Sequence, residues 1–465
     1  MKTKLLLSAL ALLLLPMLVQ ATHLYSGYIS YTVDEHNPLQ FNFTFTLYTN
    51  HFSQAEDPEV EVKMGDGNTV VLPRTSITPY SYTYDRDIFH WSYTYATPGN
   101  YTVTWIGESR NHGIINFPSP SDQVAMHVST AVNASRLITN YNSVALAGVP
   151  IFEAYAGEPM IHNLLTYDAD GDQLLYELVT PKTENANSEI ITVPGYQFPE
   201  GLTVSKYGEL SWVAPNTVGQ YVIALQVTEQ RNGAAIGTTV VDIMYNVSDS
   251  KEKPELTLLN KDRLPLRDDG AVQTWPDQPL KLEYYLQKNP NQDHLLHARF
   301  FSEIDTLDLA AATLAVRDTV DGFAVSLTLT PSSDMERPSP YLIGLRGRSS
   351  ARGHSHEIRF FVEDDWEFTY LYVGEQQPTS AGDDLAKAGF KLYPNPVADR
   401  FVVEAPDLPS MYLQLRDATG KKLSVLRLEP GRNTLVKPGS LASGLYFYTI
   451  SSRSKPVGSG KLVVR

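Results

Sequence analysis

The 465-residue sequence contains no cysteine. That absence removes a disulfide scaffold, a thiolate zinc site, an iron–sulfur cluster and a cysteine nucleophile at once. Basic residues are outnumbered: 37 Lys and Arg stand against 52 Asp and Glu, a net charge of −15. No segment gathers the basic residues into a stripe, so a nucleic acid held through its phosphates is not the expected partner. Helical periodicity is scarce, because hardly any stretch keeps a 3.6-residue apolar pattern beyond two turns. Long apolar runs are confined to the first residues. The best later candidate, residues 307–316, is interrupted by Asp308 and falls short of the ~20 residues a spanning helix needs. No transmembrane anchor is expected. HExxH, GxSxG, a Gly-rich phosphate loop and a Ser-xx-Lys set are all missing, which leaves the known catalytic signatures unfilled.

What is present argues for a folded β protein. With 42% hydrophobic and 11% aromatic residues the chain is too apolar to be disordered. Its length suggests about three or four domains. The dominant period is two: Ile29, Tyr31 and Val33, then Phe41, Phe43, Phe45 and Leu47, alternate with polar neighbours as half-buried strands do. Turn sequences such as Gly65-Asp66-Gly67 and Pro98-Gly99-Asn100 separate the runs. Short strands punctuated in this way predict an all-β chain of β-sandwiches in series.

The first 21 residues carry Lys2 and Lys4, an apolar run from Leu5 to Leu15, and a Val19-Gln20-Ala21 cleavage site. That is the grammar of a secretory signal peptide, and the apolar core is too short for a membrane anchor. Expected modules then cover residues 22–132, 146–248 and 254–366, followed by a linker at 367–389 and a last domain at 390–465. The linker expectation rests on Glu375-Gln376-Gln377-Pro378-Thr379-Ser380-Ala381-Gly382, which has no apolar face to bury.

In the first module, Met64-Gly65-Asp66-Gly67-Asn68 and the stretch from Tyr93 to Trp105, YTYATPGNYTVTW, resemble the signature of PKD-type β-sandwiches. Thr22-His23-Leu24-Tyr25-Ser26-Gly27 and the RNHGIIN stretch from Arg110 to Asn116 resemble two pieces of large secreted Bacteroidota proteins. Ser26 stands where that pattern has Gly, Tyr28 where it has Glu, and the cysteines common there are absent. An aromatic ladder lies between the motifs. Phe89, Trp91, Tyr93 and Tyr95 share one strand face, and Tyr80, Tyr82 and Tyr84 another. Such rows serve either as core with cross-strand aromatic pairing or as a platform on which glycan rings stack. Trp91 is expected in the core; the Tyr80, Tyr82 and Tyr84 row is the candidate ligand-binding surface.

In the second module, YDADGDQLLYELVTP from Tyr167 to Pro181 precedes Gly219-Gln220-Tyr221-Val222 and Glu229-Gln230-Arg231-Asn232-Gly233. Their order and spacing resemble the cadherin-like, Ig-like sandwich of the same proteins. Asp168, Asp170 and Asp172, with Gly171 permitting a sharp bend, can converge carboxylates on calcium, with Glu158 and Asp242 as further candidates. An EF-hand is excluded because Val179 occupies the position of the bidentate Glu. The alternative is an Asp–Gly turn whose side chains cap backbone N–H groups. The third module shows alternating strands but matches no family. His354 and His356 could share a strand face and bind a metal, or belong to a solvated loop.

The last domain carries KLYPNPV from Lys391, with Tyr393, Pro394, Asn395 and Pro396. Gly444 and Tyr446 follow in a GLYFYTI strand, and Gly460 and Lys461 open the terminal GKLVV strand. A Thr419-Gly420 turn reads as a hairpin between two of its strands. This closely resembles the type A C-terminal sorting domain of the type IX secretion system, a small seven-stranded sandwich. The resemblance implies export through the periplasm of a Gram-negative Bacteroidota cell to its outer surface or beyond. It implies the secretion machinery and its sortase as partners. The expected function is non-enzymatic adhesion, glycan or matrix binding; the alternative is a secreted hydrolase with its site in the third module.

Overall fold

A computed structural model describes residues 24–53, 57–81, 83–108, 110–135, 139–249, 253–288, 294–351, 361–374, 385, 388–417, 422–437, 441–453 and 455–464. The signal-peptide segment, Tyr82, the 375–382 stretch, the His354 and His356 pair and the Thr419-Gly420 turn lie outside the described residues. Two compact units divide the chain, one ending at Gly374 and one beginning at Glu375.

The first unit begins with three antiparallel strands, β1 (Leu24–Asp34), β2 (Asn37–Asn50) and β3 (Tyr84–Thr94). Their register aligns Ile29 with Phe45 and Phe89, and Tyr31 with Phe43 and Trp91. The expected alternation thus becomes one continuous apolar face. It packs on Val62, Val103, Trp105 and Val128 from the facing sheet, which includes β4 (Gly99–Gly107) and β5 (Met126–Ala134).

The second module contributes β6 (Gln173–Val179), β7 (Gly219–Arg231) and β8 (Ala234–Ser248). One edge of β8 pairs with β7 from end to end. Its other edge meets β5 at Thr238 to Val240, β1 at Asp242, and then, in parallel, the strand Ile151–Tyr155. Both sheets of the first module therefore end on a strand of the second, in one continuous 12-stranded sheet. The sandwiches follow one another in sequence but share backbone hydrogen bonds, which removes two exposed sheet edges. Residues 139–143 run beside this seam. Val33 donates to the Tyr141 carbonyl at 2.7 Å, and Ser143 donates to the Tyr31 carbonyl at 3.0 Å.

The third module is a sandwich of two four-stranded sheets. One contains β9 (Leu280–Gln287) and β11 (Gly322–Leu329); the other contains β10 (His294–Ser302), β12 (Tyr341–Ala351) and β13 (Phe361–Val373). Leu282, Tyr284, Leu286, Leu327, Ile343 and Leu345 fill the space between. The strand β13 runs seven residues past the expected module end at 366. The second unit packs a three-stranded sheet and a four-stranded sheet around Phe401, Val403, Leu413, Leu415 and Ile450. It includes β14 (Lys391–Tyr393), β15 (Gly444–Ser452) and β16 (Lys455–Val464).

Candidate functional site

The RNHGIIN stretch joins the first module to the second. Arg110 is fully buried and grips both carboxylate oxygens of Asp242 on β8, at 3.1 and 2.6 Å. Asn116 exchanges hydrogen bonds with the Val222 backbone at 2.7 and 3.0 Å, and Asn111 donates to the Gln220 side chain at 3.0 Å. Ser26 donates to the Asp242 carbonyl. Asp242 is therefore an ion-pair partner opposite Ala224 on β7, away from the aspartate triad it was expected to extend. Glu158 is likewise elsewhere, 3.7 Å from Lys253.

Asp168, Asp170 and Asp172 do converge, each offering an oxygen within 4.8 Å of the others. The cation among them is Arg231. It donates to both oxygens of Asp172 at 2.7 and 2.6 Å, to Asp170 at 3.4 Å and to the Thr139 carbonyl at 2.9 Å. Asp170 also accepts from the Tyr141 and Asn142 backbone N–H groups of the segment between the modules, while Asp168 caps its own turn by accepting from the Asp172 N–H at 3.0 Å. A guanidinium thus already binds two of the three carboxylates, and a calcium ion at this triad would have to share those oxygens with Arg231.

Sequence reasoning missed the deepest member of this cluster. Glu229 is fully buried, one Oε accepting from Asn140 at 2.9 Å, and Asn140 also reaches the Tyr31 hydroxyl at 3.1 Å. The other Oε and Asp168 Oδ2 are buried without a donor. Burial raises both carboxyls, Glu229 to about 9, with neighbouring Asp168 adding to its rise. Burial and neighbouring carboxyls push each of these groups towards its protonated form. A Cβ on Gly237 would lie 2.0 Å from Glu229 Oε2, so glycine there makes room for the carboxyl. The signal was the Glu229-to-Gly233 motif itself, whose first and third residues both enter the cluster.

The aromatic rows are part of the packing. Trp91 is half-buried and stacks on Phe43 at 5.0 Å between ring centroids. Tyr84 is buried and stacks on half-buried Tyr80 at 5.7 Å; Arg346 of β12 donates to the Tyr80 hydroxyl at 2.8 Å. An outward-facing platform is thus not what Tyr84 forms: its ring is covered in a cluster with Tyr25, Tyr48, Val149, Ile151 and Met244 of the first and second modules.

The opposite, polar half of the same alternation is where the unit is open. A cleft of about 550 Å³ lies on the outer face of β1, β2 and β3. Ser30, Thr32, Asn42, Thr44, His90 and Ser92 line it, facing Asn142 and Tyr167 of the second module and Leu307 of the third. No Asp, Glu, Lys or Arg is among its lining residues. Cross-strand hydrogen bonds fix its floor: Ser92 donates to Asn42 Oδ1 at 2.6 Å, and Thr44 Oγ1 lies 3.0 Å from His90 Nδ1. Among the described residues, Asn42 Nδ2 and His90 Nε2 have no protein partner.

In the second unit, two of the residues expected to carry the sorting signal, Asn395 and Lys461, are in contact. Asn395, between Pro394 and Pro396, donates to the Lys461 carbonyl at 2.7 Å and accepts from the Val463 N–H at 2.8 Å, tying the YPNP segment to β16. Tyr393 donates to Glu404 at 2.6 Å. Tyr446 of β15, two residues after Gly444, donates to the Ala442 carbonyl at 2.9 Å. A Cβ on Gly460 would come within 2.5 Å of the Tyr448 ring packed across it, which accounts for glycine beside the exposed Lys461.

No curated protein matches the chain. Among solved structures, immunoglobulin domains 1–4 of Sidekick-1 align at 11% identity over 90% of this chain and 94% of that one, with a TM-score of 0.16. The N-terminal eight Ig domains of Down Syndrome Cell Adhesion Molecule align at 12% identity over 90% and 47%, with a TM-score of 0.18. The sialic acid binding region of the Streptococcus sanguinis SK1 adhesin aligns at 11% identity over 63% and 95%, with a TM-score of 0.17. Residues 391–465 match the family described as the secretion system C-terminal sorting domain, the tail that directs a protein to type IX export.

Proposed function

We propose that this chain is a non-enzymatic exported binding protein of the cell surface or medium, and that the cleft over β1, β2 and β3 holds a carbohydrate. The observation that carries the reading is the lining: hydroxyl, amide and imidazole groups in successive rows, pre-set by cross-strand hydrogen bonds, without a charged side chain. Such a wall matches the donors and acceptors of sugar hydroxyls, and it gives a charged group no counter-charge there. The welded modules supply the rigidity that a preorganised site needs. No observation favours the hydrolase alternative. In the third module, buried Glu303 is bound by Arg337, a structural ion pair.

The test is a glycan array probed with the chain lacking residues 1–21, followed by Asn42→Ala/Ser92→Ala. We expect the double variant to melt near the parent and to lose about tenfold or more in affinity for the glycan bound. An array without a bound glycan, or binding indifferent to the double variant, overturns the reading.

A further inference from the structure

The cleft does not stop at His90. A second cavity, of about 190 Å³, is lined by Tyr28, Thr46, Tyr48, Arg86 and Ile88 on the same three strands, with Arg299 on the opposite wall. Register places these residues in continuation of the first set. Thr44 pairs with His90, Thr46 with Ile88 and Tyr48 with Arg86, each pair one row further along the same face. The residues over the two cavities are neighbours in sequence as well. Ala145 and Leu307 cover the first cavity, while Leu146 to Val149, Arg299 to Ser302, Asp305 and Thr306 cover the second. From the row of Ser92 to the row of Arg86 the groove runs roughly 20 Å at the rise of a strand.

The two ends differ in charge. The Asn42 end has no ionised side chain. At the other end Arg86 and Arg299 are both exposed, and among the described residues neither forms an ion pair. Arg299 lies over the Phe301 ring at 4.9 Å, which holds its guanidinium on the wall. Asp305 is the carboxylate at this end, so two cations face one anion. In a chain of net charge −15, an unmatched pair of guanidiniums on opposite walls of one groove is a local exception. Guanidinium forks match planar or tetrahedral anions with two parallel hydrogen bonds.

We infer that the occupant of this groove is an acidic oligosaccharide, its uncharged portion lying along Asn42, Thr44, His90 and Ser92 and its anionic group between Arg86 and Arg299. This rests on the carbohydrate reading above and adds the substrate class and the direction of binding. Carboxylate and sulfate share the required chemistry, and matched probes separate them.

The experiment is calorimetric titration of the chain lacking residues 1–21 with three oligosaccharides of equal length. One is neutral, one carries a terminal uronate and one a terminal sulfate. At least one acidic probe is expected to bind about tenfold or more tighter than the neutral one, as charge-assisted hydrogen bonds contribute, and to lose that margin as salt is raised. In Arg86→Gln/Arg299→Gln the ratio of acidic to neutral affinity is expected to fall to about one. Arg86→Lys/Arg299→Lys keeps the charge but not the fork and should retain part of the ratio. Equal binding of neutral and acidic probes by the parent overturns the acidic assignment and leaves the carbohydrate reading standing. So does an acidic preference that survives the double Gln variant. Failure of all three probes, with the array also blank, overturns both.

Discussion

Arg110 with Asp242 and Arg231 with Asp172 are both bidentate arginine–carboxylate pairs at the joint between the first two modules, and their surroundings differ. The first is a closed pair, one guanidinium to one carboxylate, both within about a hundredth of full burial. The second is over-supplied with acid. Asp168, Asp170 and Asp172 crowd one arginine, Glu229 lies buried beside Asp168, and burial pushes both Glu229 and Asp168 towards the protonated form. A matched pair leaves its carboxylate with a full set of charged partners. An acid-rich one makes the same joint proton-dependent. A buried pair is weak evidence of net stabilisation, because desolvation offsets the attraction, yet breaking it strands a charge.

The largest expected effect follows from that asymmetry. Arg110→Ala leaves Asp242 buried and unpaired and should destabilise the first unit by about 3–5 kcal/mol in denaturant unfolding. Arg110→Met/Asp242→Leu should recover most of the loss. A single variant that unfolds like the parent would show that this pair does not hold the joint.

The acid-rich cluster gives a smaller effect of opposite sign. Glu229 faces Asp168, Asp172, Asn140 and Tyr31, and burial lifts its carboxyl from the usual 4.5 to about 9. The folded chain thus keeps a proton that the unfolded chain has lost. The associated stability is complete below about pH 4.5 and is lost as pH rises towards 9. Glu229→Gln, which supplies a permanent donor towards Asp168, should raise the melting temperature at pH 8 and flatten its fall between pH 6 and 9. A slope unchanged by the substitution would place the proton elsewhere.

The smallest expected effect concerns calcium. With Arg231 between Asp170 and Asp172, millimolar Ca²⁺ and EDTA should give superimposable melting curves, while Arg231→Gln should make the curve respond to Ca²⁺. A rise in the parent comparable to the about 2.7 kcal/mol of a ligand at a hundredfold excess over Kd would restore the aspartates as calcium ligands.

Much of the fold was legible, and particular residues show why. The alternation at Phe41, Phe43 and Phe45 predicts strand and core face because a two-residue period leaves no other way to bury every ring. The YPNP and GKLVV segments identified the last domain by their resemblance to the sorting family, and Asn395 ties the two segments together. The motif from Arg110 to Asn116 was equally visible, but its purpose was not. Its partners Asp242, Val222 and Gln220 lie more than a hundred residues away. The aspartate triad looked like a cation site for the same reason, since spacing records the carboxylates and not the arginine that reaches them from β7.

Local sequence by itself determined the strands, the inward faces, the turns and the sorting tail, because those depend on backbone geometry and on neighbours two or a few residues apart. Tertiary structure decided which polar face would be open and which aromatic row covered. Thr44 and Tyr84 are both on strands of one sheet, yet only the docking of the second and third modules leaves one beside a cleft and seals the other. Such docking depends on long-range complementarity between surfaces, and a pattern of period two carries no record of it.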